Sequence, residues 1–493
     1  MAEAINFKKL FEPRSIAVVG VSSDITKGAS GFLNSLITLG FPGAIYPVNN
    51  KLNEVLGLET YPSVSSIPHP VDYAIIGVPA AAVPGVVDDC ACKGVPFVQI
   101  FTSGFEELGT AEGTALQQRI KEKGKGRTRI IGPNCMGIYH PNARIGFEPE
   151  QSVRPGDVGF ISQSGGLAMN FVDRSVSEKI FVSKLISIGN ACDLCLTDFL
   201  NYFRQDPETQ VIGTYLEGLQ QNEHRKFFFL ARAVTQTKPL VMWKPGYTEA
   251  GARAARSHTG SMVGTYRIWR SMSTQTGIIM VQSMEELVDV ISIYVRSPLP
   301  KGLQVSIVAY GGGANVTATD ACTSQGLKLP ILEPEIQQKM LAFIPEAGTF
   351  RGNPVDVTGW VTSPRIAGGV SLLAACDPQI HALIFILDID FIFKQCNRLN
   401  LDQERLLGGH SKSLLRIKEE TGKPVVCVLQ KTGDVLALED ARLKAKNRFL
   451  DIGIPCFPDI ARAAKALVHL NAYRLYRDHS RFKPLETAGS RIA

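Results

Sequence analysis

His258 lies between Ser257 and Thr259, in the stretch Lys244-Pro-Gly-Tyr-Thr-Glu-Ala-Gly-Ala-Arg-Ala-Ala-Arg-Ser-His-Thr-Gly-Ser-Met-Val-Gly264. A neutral imidazole attacks well near neutral pH when one ring nitrogen is held by an acceptor and the other is free. The stretch is rich in Gly and Ala, has no long apolar side chain before Met262 and can bury little area. It is therefore predicted to be a mobile loop able to carry a chemical group between sites. His69, His140, His224, His381, His410, His469 and His479 have no comparable setting.

Three further stretches could handle an anion. Ser162-Gln-Ser-Gly-Gly-Leu-Ala168 follows a short apolar run and opens a helical pattern. Its hydroxyls and small residues read as a helix start with free N–H groups and a positive dipole end. Tyr310-Gly-Gly-Gly-Ala-Asn315 has the same form after Leu303–Ala309. The third runs from Ser15-Ile-Ala-Val-Val-Gly20 through a loop holding Lys27 to Gly28, with an apolar helical pattern after it. The Gly-x-Gly-x-x-Gly dinucleotide fingerprint is absent there. That disfavours an NAD-dependent dehydrogenase and favours a nucleotide-containing ligand held in another way.

The elements that must position these groups alternate strand and helix. In the first part of the chain, strands are predicted at 44–48, 73–78, 97–101 and 129–131, each ending in a Gly, Pro, Asn or Ser cluster. An open parallel sheet builds its ligand crevice at such ends. The pattern lapses from Ala143 to Pro155 and resumes with strands near 157–161, 181–188, 211–215 and 240–243. Glu217 falls at the carboxyl edge of the third of these. A further unit opens after Pro298-Leu-Pro-Lys and alternates strand and helix to Tyr473, leaving a polar tail from Arg481. The expected division is 1–150, 151–298 and 299–493, and the class is α/β.

Bulk composition excludes several alternatives. At 493 residues the chain exceeds one compact core, and its formal net charge of +6 comes from basic residues spread along the sequence, which argues against a nucleic-acid partner. The longest apolar stretch, Ala74–Val87, is broken by Pro79 and Pro84, and spanning a bilayer takes roughly 20 apolar residues. The amino terminus lacks the apolar core of a secretory signal, and the scattered cysteines fit a reducing cytosol, so a cytoplasmic location is expected. Cys192 and Cys195 have no second pair at zinc spacing, and no metal site is expected in this chain.

Taken together, the motifs resemble those of the nucleoside-diphosphate-forming acyl-CoA synthetases, the succinyl-CoA synthetase superfamily, in the α-subunit arrangement of the ADP-forming acetyl-CoA synthetases. The likeness is carried by Ser15–Gly28, Tyr46-Pro-Val-Asn49, Gly132-Pro-Asn-Cys-Met-Gly137, Ile161-Ser-Gln-Ser-Gly165, Tyr215-Leu-Glu-Gly218, Gly352-Asn-Pro-Val-Asp-Val-Thr358 and, most specifically, Glu249–Gly260 with its Ser-His-Thr-Gly.

The resemblance implies a Rossmann-like CoA-binding domain followed by two flavodoxin-like doubly wound domains. It also implies an ADP-forming acid:CoA ligase acting through an acyl phosphate and a phosphohistidine at His258. Glu217 is the chosen acceptor for the ring. Phosphate sites are expected at Ser162, Ser164, Gly165 and Gly166, and at Gly312, Gly313 and Ala314, the second facing the nucleotide. Gly20, Ser22, Ser23, Lys27, Asn49, Lys51, Val78, Pro79 and Ser103 would line CoA. Asn134, Cys135 and Gly137 would lie near the thioester and the small carboxylic acid. Arg144 and Arg174 read as solvated surface cations. No stretch is left for an ATP-grasp domain, so ATP or ADP with Mg2+ would be held mainly by a separate β subunit, in an α2β2 assembly. The competing reading is a non-catalytic CoA-binding regulatory or scaffold protein of the same fold.

Overall fold

The strands Ser15–Val19, Tyr73–Ile76 and Phe97–Ile100 are buried at every position. Continuous apolar runs of this kind form a parallel sheet covered on both faces. In the computed structural model, which describes residues 5–26, 28–220, 222–258 and 266–481, they join Ala44–Val48 and Arg129–Ile131 in a five-stranded parallel sheet. The spatial order is 44–48, 15–19, 73–76, 97–100, 129–131. Ala44–Val48 is the edge strand, partly exposed, and it tolerates Pro47 there.

A second sheet follows in the order 279–281, 240–243, 211–215, 158–162, 182–187, 137–139. Its strands are parallel except the last, where Gly137–Tyr139 runs antiparallel to Val182–Ser187. The helix Gly165–Ser177 packs back on its own sheet through Phe171, whose ring stacks on Phe160 at 3.8 Å. Burying such a ring stabilises by about 2–3 kcal/mol.

The two sheets belong to one compact unit reaching to Leu287. Phe7 and Phe11, which lead into the first sheet, pack on Phe199 at 5.4 Å and Tyr202 at 4.6 Å, both on the helix Leu196–Gln205. Arg129 adds a two-pronged ion pair to Asp193 at 2.8 and 3.0 Å.

The other unit, Val288–Phe482, holds a five-stranded parallel sheet in the order 355–356, 305–309, 382–388, 425–430, 456–457. Its core gathers Val308, Leu383, Phe385, Leu387, Val425 and Phe449. Arg442 and Asp390 form a buried pair at 2.5 Å, and Asp390 also accepts from the backbone of Thr432 and Gly433. The tail beyond Arg481 lies outside the described residues. Among the described residues no helix is long and apolar enough to cross a membrane.

Candidate active site

Strand order locates a crevice in each sheet. From Val158–Ser162 the chain passes to Val182–Ser187 on one side and then to Val211–Tyr215 on the other. The helices therefore diverge at the carboxyl ends of 158–162 and 211–215, the place where doubly wound sheets bind ligands. Ser162 is in register with Tyr215 there. Ser164 caps the helix Gly165–Ser177 by accepting from Leu167 N, and Ser162 Oγ accepts from Ser164 N at 3.2 Å. With the serine hydroxyls engaged in holding the turn, the amides of Gly165 and Gly166 are the donors of the helix start.

Glu217 sits across the crevice and is 5% exposed. Tyr215 donates its hydroxyl to Glu217 Oε1 at 2.9 Å, and burial together with that bond keeps the phenol protonated far above its ordinary range. Gln163 ties the two loops: its amide donates to Tyr215 O at 3.0 Å, and its Oε1 accepts from Glu217 N and Gly218 N. Lys244, at the end of the neighbouring strand Leu240–Trp243, is 1% exposed. Burial lowers its ammonium pKa to about 8, with the Glu217 charge pulling the other way.

The predicted mobile loop at 244–264 is corrected in its middle. Glu249–His258 is an α-helix, opened by Thr248, whose Oγ1 accepts from Gly251 N at 3.0 Å. Ala250, Ala252, Ala254 and Ala255, interleaved with Glu and Arg, are strong helix formers, and their propensity outweighs the lack of an apolar stripe. His258 is the last helical residue. Its side chain, and residues 259–265, lie outside the described residues.

In the first sheet the switch falls between Ser15–Val19 and Tyr73–Ile76. Gly20 has φ +91°, and a Cβ there would lie 2.7 Å from Gly77 O; one on Gly77 would lie 2.8 Å from Ala29 N. Only glycines allow this close approach. Asn49 donates to Val21 O at 2.6 Å and accepts from the amides of Lys51 and Leu52, holding two strand ends together. Ser22 N is taken by Ser30 Oγ at 2.7 Å. Val78, Pro79 and Ser103 stand at the ends of the next two strands, so the expected lining residues share one sheet edge; Ser23 is exposed on the loop. The helix Ser30–Leu39 opens without a side-chain cap, which leaves amides for a phosphate. Lys27 lies outside the described residues.

The turn 132–137 separates its three expected site residues. Asn134 is exposed with φ +57°. Cys135 is buried, donates to Ile100 O at 3.4 Å, and is pushed up to about 12 by desolvation. That thiol faces the sheet and is no nucleophile. Gly137 is also buried; a Cβ there would overlap the Gln99 side chain, so it serves packing. Gly165 completes the arrangement, since a Cβ on it would sit 2.8 Å from Met136.

Arg174 pairs with Glu285 at 3.0 Å on the surface, and Arg144 caps Leu39 O at 2.9 Å. Cys195 donates to the carboxylates of Asp198 and Glu223, and no group of three metal-ligating side chains is found among the described residues.

In the Val288–Phe482 unit the switch lies between Val305–Ala309 and Ala382–Asp388. Gly311, φ +96°, precedes the helix Gly312–Ser324, which has no side-chain cap. Its own amide is held by Thr358 Oγ1 at 2.7 Å, and Gly312 and Gly313 face open space. Asn315 Oδ1, one turn on, is buried without a partner.

Sequence reasoning gives no role to Gln163, Lys244, Tyr215 or Asn315. Gln163, Tyr215 and Asn315 lie inside motifs that draw notice, and Lys244 begins the histidine stretch; strand register is the missing signal.

This succession of one glycine-lined crevice and two doubly wound sheets with helix-start anion sites is the layout of a CoA ligase. Family models match in the same order: a CoA binding domain over residues 14–141, a succinyl-CoA ligase like flavodoxin domain over 155–294, and a ligase-CoA domain over 305–477. The chain is 34% identical over 470 residues to acetate–CoA ligase [ADP-forming] I subunit alpha of Pyrococcus furiosus, covering 94% of this chain and 96% of that one. It is 33% identical to acetate–CoA ligase [ADP-forming] I of Archaeoglobus fulgidus, covering 94% of this chain and 63% of that one. A solved structure of Ca. Korarchaeum cryptofilum dinucleotide forming acetyl-coenzyme A synthetase 1, in complex with phosphate and ADP, matches with TM-score 0.82 and 34% identity, over 97% of this chain and 98% of that one. The chain belongs to the ADP-forming acyl-CoA synthetase family, and its likeness is to the α subunits.

Proposed function

We propose that this chain is the catalytic α subunit of an ADP-forming acid:CoA ligase, interconverting carboxylic acid, CoA and ATP with acyl-CoA, ADP and phosphate. The observation that carries the reading is the pairing of Ser162 with Tyr215 at one sheet edge, which sets a helix-start anion site opposite buried Glu217. In the direction that consumes acyl-CoA, phosphate held by the Gly165 and Gly166 amides attacks the thioester carbonyl, and the CoA thiolate leaves. His258 then attacks phosphorus, the acyl–oxygen–phosphorus link breaks on the phosphorus side, and the carboxylate departs. Glu217 is the acceptor for the other ring nitrogen, which favours the attacking tautomer.

CoA is assigned to the first crevice. The close backbone approach at Gly20 and Gly77 and the uncapped start of Ser30–Leu39 fit a pyrophosphate, with Asn49, Lys51, Val78, Pro79 and Ser103 along the adenosine and pantetheine path. Asn134 is the turn residue placed to meet the acyl end. The turn Gly312–Ala314 is assigned to the nucleotide side. An ATP-grasp β subunit supplies most of the nucleotide and Mg2+ site; the relative matched almost end to end is named subunit alpha, while the Archaeoglobus enzyme extends well beyond the match. We further assign three domains at 1–150, 151–298 and 299–493, with Gly137–Tyr139 of the first adding a strand to the second sheet, the assembly to α2β2 and the compartment to the cytoplasm.

The test is a CoA-ligase assay of the chain reconstituted with an ATP-grasp partner across a panel of carboxylic acids. Thioester formation with at least one acid, dependent on ATP, is expected. CoA binding without turnover on any acid would instead support the scaffold reading.

A further inference from the structure

Lys184, a buried lysine of the same sheet, is met by carboxylates: it lies 3.0 Å from Asp206 and also contacts Glu208. Lys244 is different. It is among the largest fully buried side chains. Its Nζ donates to Pro245 O at 2.9 Å and stands 5.5 Å from the centre of the Trp269 ring on the helix Tyr266–Thr276. Among the described residues no carboxylate comes within ion-pair distance of it. The charge that acts on it is that of Glu217, on the adjoining strand end, and the two ends are joined by Leu216 N donating to Trp243 O at 3.1 Å. Tyr215, bonded to that carboxylate, stacks edge-on against Trp243 at 4.9 Å. Glu249 and Arg253, on the helix leading to His258, are exposed.

Taking an ammonium out of water costs several kcal/mol unless a compensating charge is supplied. A strand-end position with this burial would pack well as Met. Keeping a cation there, beside a carboxylate it does not touch, is useful where more negative charge must arrive. Phosphoryl transfer at this edge brings such charge, and a fixed cation offsets it without reorganising.

We propose that Lys244 is a positioning residue of the phosphoryl-transfer step, supplying the buried positive charge against which Glu217 and a phosphorylated His258 are held. This rests on the reading of His258 as the phosphoryl carrier. It predicts a limit at alkaline pH: Lys244 sheds its proton near pH 8, and the positive charge is lost above it. An arginine stays protonated throughout.

The experiment uses the full chain with its partner subunit and γ-labelled ATP, following the rate of acid-labile labelling from pH 6.5 to 9.5. Lys244→Met is expected to slow labelling at least about tenfold at pH 7, with CoA affinity unchanged because CoA is assigned to the other crevice. Lys244→Arg is expected to restore most of the rate and to hold it at pH 9, where the wild type declines. Wild-type labelling in Lys244→Met, or identical alkaline limbs in wild type and Lys244→Arg, overturns the proposal. Should Lys244→Met fail to fold, the comparison of wild type with Lys244→Arg still decides. Absence of label in the wild type, with CoA binding intact, overturns the phosphohistidine reading and this inference with it. Label in the wild type with no Lys244 effect overturns this inference alone.

Discussion

The side-chain oxygen of Gln163 accepts the backbone amide of Glu217 at 2.8 Å and that of Gly218 at 3.1 Å, so one uncharged side chain fixes the carboxylate loop to the anion-binding turn. Gln163→Leu keeps the volume and removes the acceptor. Two amides then lose their partner, and an unsatisfied buried donor costs about 1–3 kcal/mol. Urea unfolding should show a loss of that size, and His258 labelling should slow while CoA affinity stays within a factor of about two.

Two glycines, Gly20 at a strand end and Gly166 in the first turn of a helix, should behave in opposite ways. Gly20→Ala places a methyl group against Gly77 O at φ +91°, so backbone strain of about 1–3 kcal/mol is expected, with loss of CoA binding by calorimetry. Gly166 has no atom within 4 Å of an added Cβ and is exposed. Gly166→Ala should leave stability unchanged or slightly raised, since alanine favours the helix. A weakened apparent phosphate affinity in a stable Gly166→Ala variant would tie that turn to the anion.

His410 gives the Val288–Phe482 unit a defined pH response. It is 1% exposed, its Nε2 lies 2.8 Å from Val361 O, and burial lowers its pKa to about 4, against an ordinary value of 6.5. The native state therefore binds fewer protons than the unfolded chain between those values. Stability from this group is full above pH 6.5 and is lost as pH falls toward 4, by roughly 3 kcal/mol. Denaturant titrations of wild type and His410→Gln at pH 7 and 4.5 should show the wild type losing more.

Much of the fold and of the site can be read from residue order alone. Fully buried runs such as Val158–Ser162 and Val305–Ala309 announce parallel strands, and the small-residue turns after them mark the crevices. Gly137–Tyr139 cannot be read in this way: three residues carry no periodicity, and the strand exists only because Val182–Ser187 lies beside it. The helix before His258 escapes the pattern because Ala-rich sequence without an apolar stripe resembles a loop by burial and a helix by propensity. The contact of Phe11 with Tyr202 joins residues far apart in sequence, and Lys244 has the sequence of a polar strand end although its side chain is buried. Cys135, which the family resemblance implies lies near the thioester, turns its thiol inward, where Ile100 O of the sheet accepts it.

The most direct measurement is the site of phosphorylation. The chain, mixed with its nucleotide-binding partner and γ-labelled ATP, should acquire an acid-labile, base-stable label that peptide mapping places on His258. The label should be discharged as acyl-CoA forms, absent in His258→Asn and slowed in Glu217→Gln. Acyl-CoA formation with the label on another residue, or undiminished turnover by His258→Asn, would contradict the account.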